Sequence, residues 1–156
     1  MIEITIPGFK HLRLQHLVLD YNGTLAVDGR MIEGVESRLG RLSEDLQVHV
    51  VTADTFGKTR AAVADINCTV QILSSENQAE AKRDYVRRLA AEETVCIGNG
   101  RNDRLMLQEA GLAIAVILAE GAHSASVTAA DVVCTSIIDA LDLLQNPLRL
   151  TATLRS

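Results

Sequence analysis

Short apolar runs alternate with segments of helical periodicity along almost the whole chain, and this alternation constrains the fold more than any other feature. The apolar runs, which predict strands, cover residues 2–6, 12–19, 48–51, 69–73, 94–97, 112–118 and 131–134. The segments with helical character cover residues 34–46, 59–66, 76–91, 104–110, 120–129 and 137–145. Strands that alternate with helices at this spacing form parallel sheets covered on both faces. The predicted fold class is therefore α/β, with three layers and a mostly parallel central sheet.

The dipeptide Asp28-Gly29 interrupts this alternation near the N-terminus. Asp-Gly is typical of the tight primed turns that join two antiparallel strands. The residues on either side, 25–27 and 31–32, are apolar, so they predict a short β hairpin that forms a flap. No low-complexity linker divides the 156 residues, and we expect a single domain over residues 1–156. The polar tail after Pro147 is expected to cap the last helix or to fray.

Composition and charge narrow the class of protein. The chain is 47% hydrophobic but only 3% aromatic, so its core must consist of Val, Leu, Ile and Ala. Fifteen basic residues against twenty acidic ones give a net charge of −5, which argues against nucleic acid or a membrane as partner. No apolar run is long enough to span a bilayer, and no secretory signal begins the sequence. Three widely separated cysteines, Cys68, Cys96 and Cys134, indicate a reducing compartment, so we expect a cytoplasmic protein.

Polar loops follow three of the predicted strands. The first loop is Asp20-Tyr21-Asn22-Gly23-Thr24 and the second is Thr52-Ala53-Asp54. The last is Gly98-Asn99-Gly100-Arg101-Asn102-Asp103, which we call the fourth loop because the segment of Lys82 lies between it and the second. In a parallel sheet the loops that follow the strands open at one edge, where α/β proteins bind their ligands. Lys82, near the start of a predicted helix with Val86 and Leu89 on its apolar side, is expected to join them. The sequence thus brings a carboxylate, a hydroxyl, an ammonium group and a carboxylate–amide cluster to one edge.

These groups suit phosphoryl transfer through a phosphorylated aspartate. Asp20 can attack phosphorus, while hydroxyl, ammonium and backbone N–H groups hold the phosphate oxygens. A divalent cation is needed to offset the repulsion between the carboxylate and the incoming phosphate. Mg²⁺ prefers hard oxygen ligands, which this edge supplies as carboxylate and carbonyl groups. We therefore expect Mg²⁺ as the cofactor.

The four motifs resemble those of the haloacid dehalogenase (HAD) superfamily, and within it the catalytic domain of P-type ATPases and their soluble relatives. The family's DxDGT or DKTGT motif is similar to residues 20–24, its Thr-Gly-Asp motif to residues 52–54, and its GDGxND motif to residues 98–103. Lys82 with Val86 and Leu89 is similar to the third motif, and residues 110–116 and 129–133 resemble later family segments. The resemblance covers nearly the whole chain after residue 15. It implies a Rossmann-like, HAD-like fold and a phosphomonoester hydrolase.

The resemblance also implies a role for each matching position. Asp20 would be the nucleophile, and Thr52 and Lys82 would bind the phosphate, so that the implied catalytic set is Asp20, Asn22, Thr52 and Lys82. The implied phosphate-binding set is Tyr21, Gly23, Thr24, Thr52, Ala53 and Lys82. The implied metal ligands are Asp20, Asn22 through its backbone carbonyl, Asn99 and Asp103, with Asp54, Gly98, Gly100 and Asn102 in support.

Two positions depart from the family pattern. Asn22 stands where most phosphatases of the superfamily have an aspartate that acts as general acid and base, and an amide cannot exchange a proton. General acid–base catalysis contributes ~10² to 10⁴ in rate, so Asn22 predicts a slow phosphatase. Asn99 replaces a metal-binding aspartate, which predicts weaker binding of Mg²⁺. Together the two substitutions keep open the alternative of an inactive module that binds phosphate or a phosphoprotein.

The sequence leaves the substrate open. Residues 24–52 and 52–82 have no room for a cap domain, nor for the nucleotide-binding domain of a P-type ATPase. Family members without caps act on large substrates or form oligomers, so we expect a phosphorylated small molecule or protein as substrate, and a homo-oligomer. Dehalogenation is disfavoured because those relatives use a cap, and a receiver domain is disfavoured because its phospho-acceptor follows a later strand. Arg101 either reaches an anionic leaving group or pairs with a neighbouring carboxylate.

Overall fold

The computed structural model describes residues 1–53 and 57–156. Its strands are β1 (Ile2–Thr5), β2 (His11–Leu14), β3 (His16–Asp20), β4 (Ala26–Val27), β5 (Arg30–Met31), β6 (Gln47–Thr52), β7 (Thr69–Ile72), β8 (Thr94–Gly98), β9 (Leu112–Val116) and β10 (Val132–Cys134). Its helices are α1 (Val35–Leu42), α2 (Lys58–Ala62), α3 (Gln78–Arg88), α4 (Arg104–Glu109), α5 (Ser124–Ala129), α6 (Ile137–Gln145) and α7 (Pro147–Leu154). Short 3₁₀ turns cover Ala91–Glu93 and Arg101–Asp103. None of the helices in these ranges is long and apolar enough to span a bilayer.

Six strands form one parallel sheet in the order β10-β9-β8-β3-β6-β7. This confirms the predicted α/β class. The first central strand, β3, lies between β6 and β8, with Asp20 opposite Val51 and Leu19 opposite Ile97. The chain therefore leaves β3 toward one side of the sheet and later returns on the other. In open α/β sheets such a switch point is where a ligand crevice forms.

Two apolar clusters cover the two faces of the sheet. Successive strand residues point to opposite faces, so Leu17 and Leu19 of β3 join one cluster and Val18 joins the other. Helices α1, α6 and α7 contribute to the cluster of Leu17 and Leu19, and helices α3 and α4 contribute to that of Val18. The core is aliphatic, as the composition predicts, and it holds β3 rigidly between the two layers.

The predicted strand over residues 12–19 is in fact two strands. It breaks at Gln15, so β2 pairs antiparallel with β1, where Leu12 lies opposite Ile4, while β3 enters the main sheet. The break lets Leu12 and Leu14 pack with β1. The sequence did not reveal it because apolar residues lie on both sides of Gln15, at alternate positions before it and in the consecutive run Leu17–Leu19 after it.

The predicted flap hairpin is confirmed. Strands β4 and β5 pair antiparallel, and the turn residues Asp28 (φ 51°) and Gly29 (φ 76°) both adopt the left-handed conformation. Primed two-residue turns require this conformation, which suits Asp-Gly. The structure therefore has two antiparallel hairpins, β1–β2 and β4–β5.

The expectation that the tail after Pro147 caps or frays is wrong. Pro147 begins helix α7. This position suits proline, which lacks an N–H, because N–H groups in the first turn of a helix have no acceptor within the helix. Leu150 in the same helix is fully buried. Burial of this side chain keeps the C-terminal residues ordered against the core.

Histidines that appear scattered in the sequence form a polar chain between β3, β6 and α3. The His16 Nδ1 atom lies 3.2 Å from His49 Nε2, and His49 Nδ1 lies 2.9 Å from the Tyr85 hydroxyl. Burial, followed by the neighbouring His16, lowers the pKa of His49 from its ordinary 6.5 to about 4. Burial also lowers the pKa of His16, although Glu93 opposes the change.

The lowered pKa of His49 predicts a pH-dependent stability. The unfolded chain takes up a proton below pH 6.5, whereas folded His49 stays neutral down to about 4, so its contribution to stability is lost as the pH falls through this window. Relative to a His49→Gln variant, the wild type should lose about 2 kcal/mol of unfolding free energy between pH 7 and pH 5. Urea denaturation of both proteins at the two pH values measures this. A constant difference would show that His49 has an ordinary pKa.

Candidate active site

Asp20 lies at the carboxyl end of β3, at the open edge of the sheet. Its side chain is buried except for about 10% of its surface. Thr52, at the end of the neighbouring strand β6, and Gly98, at the end of β8, reach the same edge. Thr52 is buried, with 2% of its surface exposed. The structure thus brings the ends of β3, β6 and β8, with Asp20, Thr52 and Gly98, to one edge, as the sequence predicts.

Lys82 joins Asp20 to the fourth loop. The Nζ atom of Lys82, one turn into α3, lies 2.6 Å from Asp20 Oδ1 and 2.6 Å from Asp103 Oδ1. The lysine is 1% exposed, because Val86 and Tyr85 of the same helix pack into the core and draw this face of α3 onto the sheet. A single buried ammonium group therefore bridges two buried carboxylates.

Asp103 is held on three sides. Its Oδ1 accepts from Lys82, while its Oδ2 accepts from the backbone N–H groups of Asn99 (3.0 Å) and Gly100 (2.8 Å). The side chain is completely buried. The sequence assigned Asp103 to the metal, and in this structure its oxygens contact Lys82 and the backbone. These contacts position Lys82 and close the fourth loop.

The electrostatics of the cluster make Asp20 easier to protonate than an ordinary aspartate. Burial, and then the negative charge of Asp103, raise the pKa of Asp20 to about 6, although Lys82 and the Tyr21 N–H oppose the change. Burial alone would lower the pKa of Lys82, but the two carboxylates outweigh it and raise that pKa. Lys82 is therefore charged at neutral pH, and added positive charge near Asp20 would favour its ionised form.

Oxygen atoms on the other side of Asp20 suit a hard cation. The Thr24 hydroxyl oxygen lies 3.3 Å from Asp20 Oδ2 and 3.2 Å from Asn99 Oδ1, so both acceptors face the same small region. The Asn99 amide donates to the Gly121 carbonyl at 3.0 Å, and this bond turns its Oδ1 toward Asp20. Carboxylate and amide oxygens fit Mg²⁺. The Asp20 carboxylate and the neutral Asn99 amide carry less negative charge than a site built from three carboxylates. The described residues hold no group of three His, Cys, Asp or Glu side chains arranged for a metal.

The backbone of the first loop is largely committed to its own turn. The Gly23 N–H donates to the Ala26 carbonyl (2.8 Å) and the Thr24 N–H to the Tyr21 carbonyl (3.2 Å). The sequence expected both N–H groups to bind phosphate. The Tyr21 side chain is buried, with its hydroxyl 3.5 Å from the Gly29 carbonyl. These backbone N–H groups are therefore engaged within the loop, and the other residues of the predicted phosphate-binding set lie elsewhere at the edge.

Those other residues are Thr52, Ala53 and Lys82. Ala53 follows Thr52 at the same edge and is partly exposed. Asp54, predicted as a supporting residue, lies outside the described residues. The Asn22 side chain is exposed, which is compatible with a position over the site but gives the reaction no acid.

Several contacts at the site involve residues that the sequence did not single out. Gln78 in the first turn of α3 accepts from the Asn102 amide at 2.7 Å. Ser126 of α5 donates to the Gly100 carbonyl at 2.6 Å, and the His123 N–H donates to the Asn99 carbonyl at 2.8 Å. These bonds fasten the fourth loop to α3 and α5. A serine within a predicted helix carries no local pattern that would have revealed this.

Gly98 is required by the packing of Asp103, which gives a testable prediction. A Cβ atom at Gly98 would lie 2.6 Å from Asp103 Cγ, and the three hydrogen bonds of Asp103 prevent it from moving away. Gly98→Ala is expected to destabilise the protein by about 1–3 kcal/mol through overpacking and to displace Lys82.

Gly40 of α1 offers the matched control, because a Cβ there meets no atom within 4 Å. Gly40→Ala should stabilise the protein by about 0.5–1 kcal/mol through helix propensity. Thermal and urea denaturation of both variants measure the two effects. Equal stability of Gly98→Ala and wild type would contradict the packing argument.

Two uncharacterized proteins of Methanocaldococcus jannaschii are similar in sequence. One is 50% identical over 64 residues, which are 41% of this chain and 69% of the relative. The other is 46% identical over 39 residues, which are 25% of this chain and 89% of the relative. No protein-family model matches the chain. The identities show a common family, whose activity the names of these relatives leave open.

Solved structures show the fold. The cobalt-bound deoxy-D-mannose-octulosonate 8-phosphate phosphatase of Haemophilus influenzae has a TM-score of 0.68 at 17% identity, covering 92% of this chain and 94% of that one. The 3-deoxy-D-manno-octulosonate 8-phosphate phosphatase of Moraxella catarrhalis, in complex with magnesium, phosphate and KDO, has a TM-score of 0.65 at 14% identity with the same coverage. A Streptomyces avermitilis protein placed in the HAD hydrolase family has a TM-score of 0.68 at 19% identity, covering 90% and 88%. The chain therefore has the fold of the haloacid dehalogenase hydrolases, without a cap domain among its described residues, and belongs to one family with the two uncharacterized Methanocaldococcus proteins.

Proposed function

We propose that this protein is a phosphomonoester hydrolase that forms an aspartyl-phosphate on Asp20. The observation that carries the proposal is the buried Asp20–Lys82–Asp103 cluster at the carboxyl edge of the sheet. A lysine bridging two buried carboxylates is costly to assemble. Phosphate binding accounts for the cluster, because a phosphate bound beside Asp20 would be attracted by the positive charge of Lys82. The phosphatases with the same fold give independent support.

The reaction has two displacement steps. In the first, an Asp20 carboxylate oxygen attacks phosphorus, the bond from phosphorus to the substrate oxygen breaks, and the leaving alkoxide takes a proton from water. In the second, water attacks the same phosphorus and gives up a proton to solvent, the bond from phosphorus to the Asp20 oxygen breaks, and Asp20 returns as a carboxylate with release of inorganic phosphate. Lys82 and Thr52 would hold the phosphate oxygens in both steps. Because Asn22 cannot transfer a proton, we propose that turnover is slow.

A divalent cation, for which Mg²⁺ is the proposed identity, would be held by Asp20, Asn99, Asp103 and the backbone carbonyl of Asn22. When bound it would lower the repulsion between the Asp20 carboxylate and the phosphate dianion. It would also favour the ionised form of Asp20, whose pKa burial and Asp103 raise to about 6. The neutral amide of Asn99 gives this cation less charge than a third carboxylate would.

Trapping with beryllium fluoride tests the nucleophile directly. Beryllium fluoride with Mg²⁺ forms an adduct on a carboxylate that accepts phosphate, and mass spectrometry or fluorine NMR should place it on Asp20. Asp20→Asn should lose the adduct and all Mg²⁺-dependent phosphate release from a panel of phosphomonoesters. Asp65→Asn, an exposed carboxylate distant in sequence from all four motifs, is the matched control and should behave as wild type. Phosphate release by Asp20→Asn at the wild-type rate would refute the proposal.

Asn22 and Asn99 favour a second candidate, a module that binds phosphate groups without hydrolysing them. In that case calorimetry should show that wild type and Asp20→Asn bind phosphate ligands with similar affinity. Neither protein would release phosphate or form the beryllium fluoride adduct. The same three measurements therefore separate the two functions.

The open edge of the sheet leaves the site accessible to a substrate and to a second copy of the chain. Since the described residues include no cap, we propose a phosphorylated small molecule or protein as substrate and a second copy of the chain as a cover for the site. Light scattering measures the oligomeric state, and a monomer at all concentrations would refute the second part.

A further inference from the structure

A polar groove lies beside the two elements that carry Lys82 and Asp103. Its volume is about 610 Å³, and it runs between the first turn of α3 and the 3₁₀ turn of the fourth loop. The neutral polar side chains of its wall are Ser75, Asn77, Gln78 and Asn102. Amides and hydroxyls at this density match a ligand that carries several hydroxyl groups.

Two arginines give the groove a positive charge. Arg101 and Arg104 both line it, against one acidic residue, Glu80. Arginine ion pairs in the described chain involve Arg38, Arg83 and Arg87. No carboxylate among the described residues pairs with Arg101 or Arg104. Of the two roles that the sequence left open for Arg101, the ion pair with a neighbouring acid does not form within residues 1–53 and 57–156.

The groove is joined to the nucleophile through the same two elements. Gln78, in its wall, lies one helical turn before Lys82, and the two share α3. Asn102, which is bonded to Gln78 at 2.7 Å, immediately precedes Asp103. The groove is therefore built on the two elements that carry Lys82 and Asp103, and Gln78 in its wall is four residues from Lys82 along α3.

We infer that this groove binds the leaving group, and that Arg101 and Arg104 select substrates whose leaving group carries a second anionic group on a hydroxylated chain. The inference rests on the proposed function, since it concerns the leaving group of that reaction. Guanidinium groups pair well with carboxylate and phosphate. A carboxylate and a second phosphate share this chemistry. The two arginines therefore act as specificity-determining residues for an anion remote from the reacting phosphorus.

Matched ligands that differ in one group provide the test. 6-Phosphogluconate and glucitol 6-phosphate share a six-carbon chain and differ only in a carboxylate against a hydroxymethyl group. Fructose 1,6-bisphosphate and fructose 6-phosphate make the same comparison for a second phosphate. Calorimetry on Asp20→Asn measures binding without turnover, and kcat/KM of the wild type measures selection during the reaction. We expect a preference for the more anionic ligand of about tenfold at low salt, weakening as ionic strength rises.

Variants of the groove decide whether the arginines cause the preference. Arg101→Gln and Arg104→Gln should reduce it at least severalfold and leave the neutral ligand nearly unaffected, whereas Glu80→Gln should increase it. Arg13→Gln, an exposed arginine on β2, is the control and should change nothing. Equal binding of charged and neutral ligands, a preference that survives both arginine substitutions, or no measurable binding of any of the four ligands would each overturn the inference. If the preference holds but no phosphate is released and no adduct forms on Asp20, the proposed hydrolase function fails while the anion selectivity of the groove stands.

Discussion

Lys82→Met is expected to destabilise the protein by about 3–5 kcal/mol, because the substitution leaves two buried carboxylates without their shared cation. In the wild type, Asp20 and Asp103 each lie 2.6 Å from Lys82 Nζ. Methionine fills a similar volume, so the loss reports charge and not packing. Urea denaturation at pH 7 measures the change, and the beryllium fluoride adduct on Asp20 should be lost as well.

The size of this effect separates a buried bridge from a surface one. Lys10 pairs with Asp131 at 3.8 Å and is 42% exposed, so Lys10→Met should cost less than about 1 kcal/mol. Adding Asp103→Asn to Lys82→Met should recover part of the stability, because it removes one of the unpaired charges. Protonation of Asp20 has the same effect, so the deficit should shrink as the pH falls toward 5. A Lys82→Met variant as stable as Lys10→Met would contradict the buried cluster.

Asn22→Asp is expected to increase the turnover of alkyl phosphates by ~10² to 10⁴, the range that general acid–base catalysis supplies. The first step of the proposed reaction expels an alkoxide, which is a poor leaving group unless it receives a proton. A carboxyl group at position 22 could donate that proton and then accept one from the attacking water. Steady-state kcat with an alkyl phosphate measures the gain.

The leaving group provides a control for this prediction. Nitrophenolate needs no proton to depart, so the burst of nitrophenolate in the first turnover should differ little between Asn22→Asp and wild type. Asn67→Asp adds the same charge at an exposed position outside the motifs and should leave both measurements unchanged. If Asn22→Asp and wild type hydrolyse alkyl phosphates equally fast, proton transfer does not limit the reaction.

Local patterns predicted the elements that carry the site. The apolar run before Asp20, the β-branched run before Thr52 and the run before Gly98 are buried strands, and parallel strands must place their carboxyl ends at one edge. The Asp-Gly turn was equally predictable, since few residues accept the left-handed conformation of Asp28 and Gly29. Element ends were less predictable, as the break at Gln15 and the ordered helix α7 show. They depend on contacts with residues far away in the chain.

What the sequence determined by itself is the order of strands and helices, and with it the edge where Asp20, Thr52 and the fourth loop meet. Only the tertiary structure decided how the charges are shared: Lys82 bridges Asp20 and Asp103, and Asp103 faces backbone N–H groups. It also decided that Arg101 lines a groove and forms no ion pair with a carboxylate in residues 1–53 and 57–156. The physical reason is that hydrogen bonds and ion pairs depend on distances of a few tenths of an ångström between residues remote in sequence. Periodicity and residue type specify which face a side chain occupies, whereas its partner is set by the packing of the whole fold.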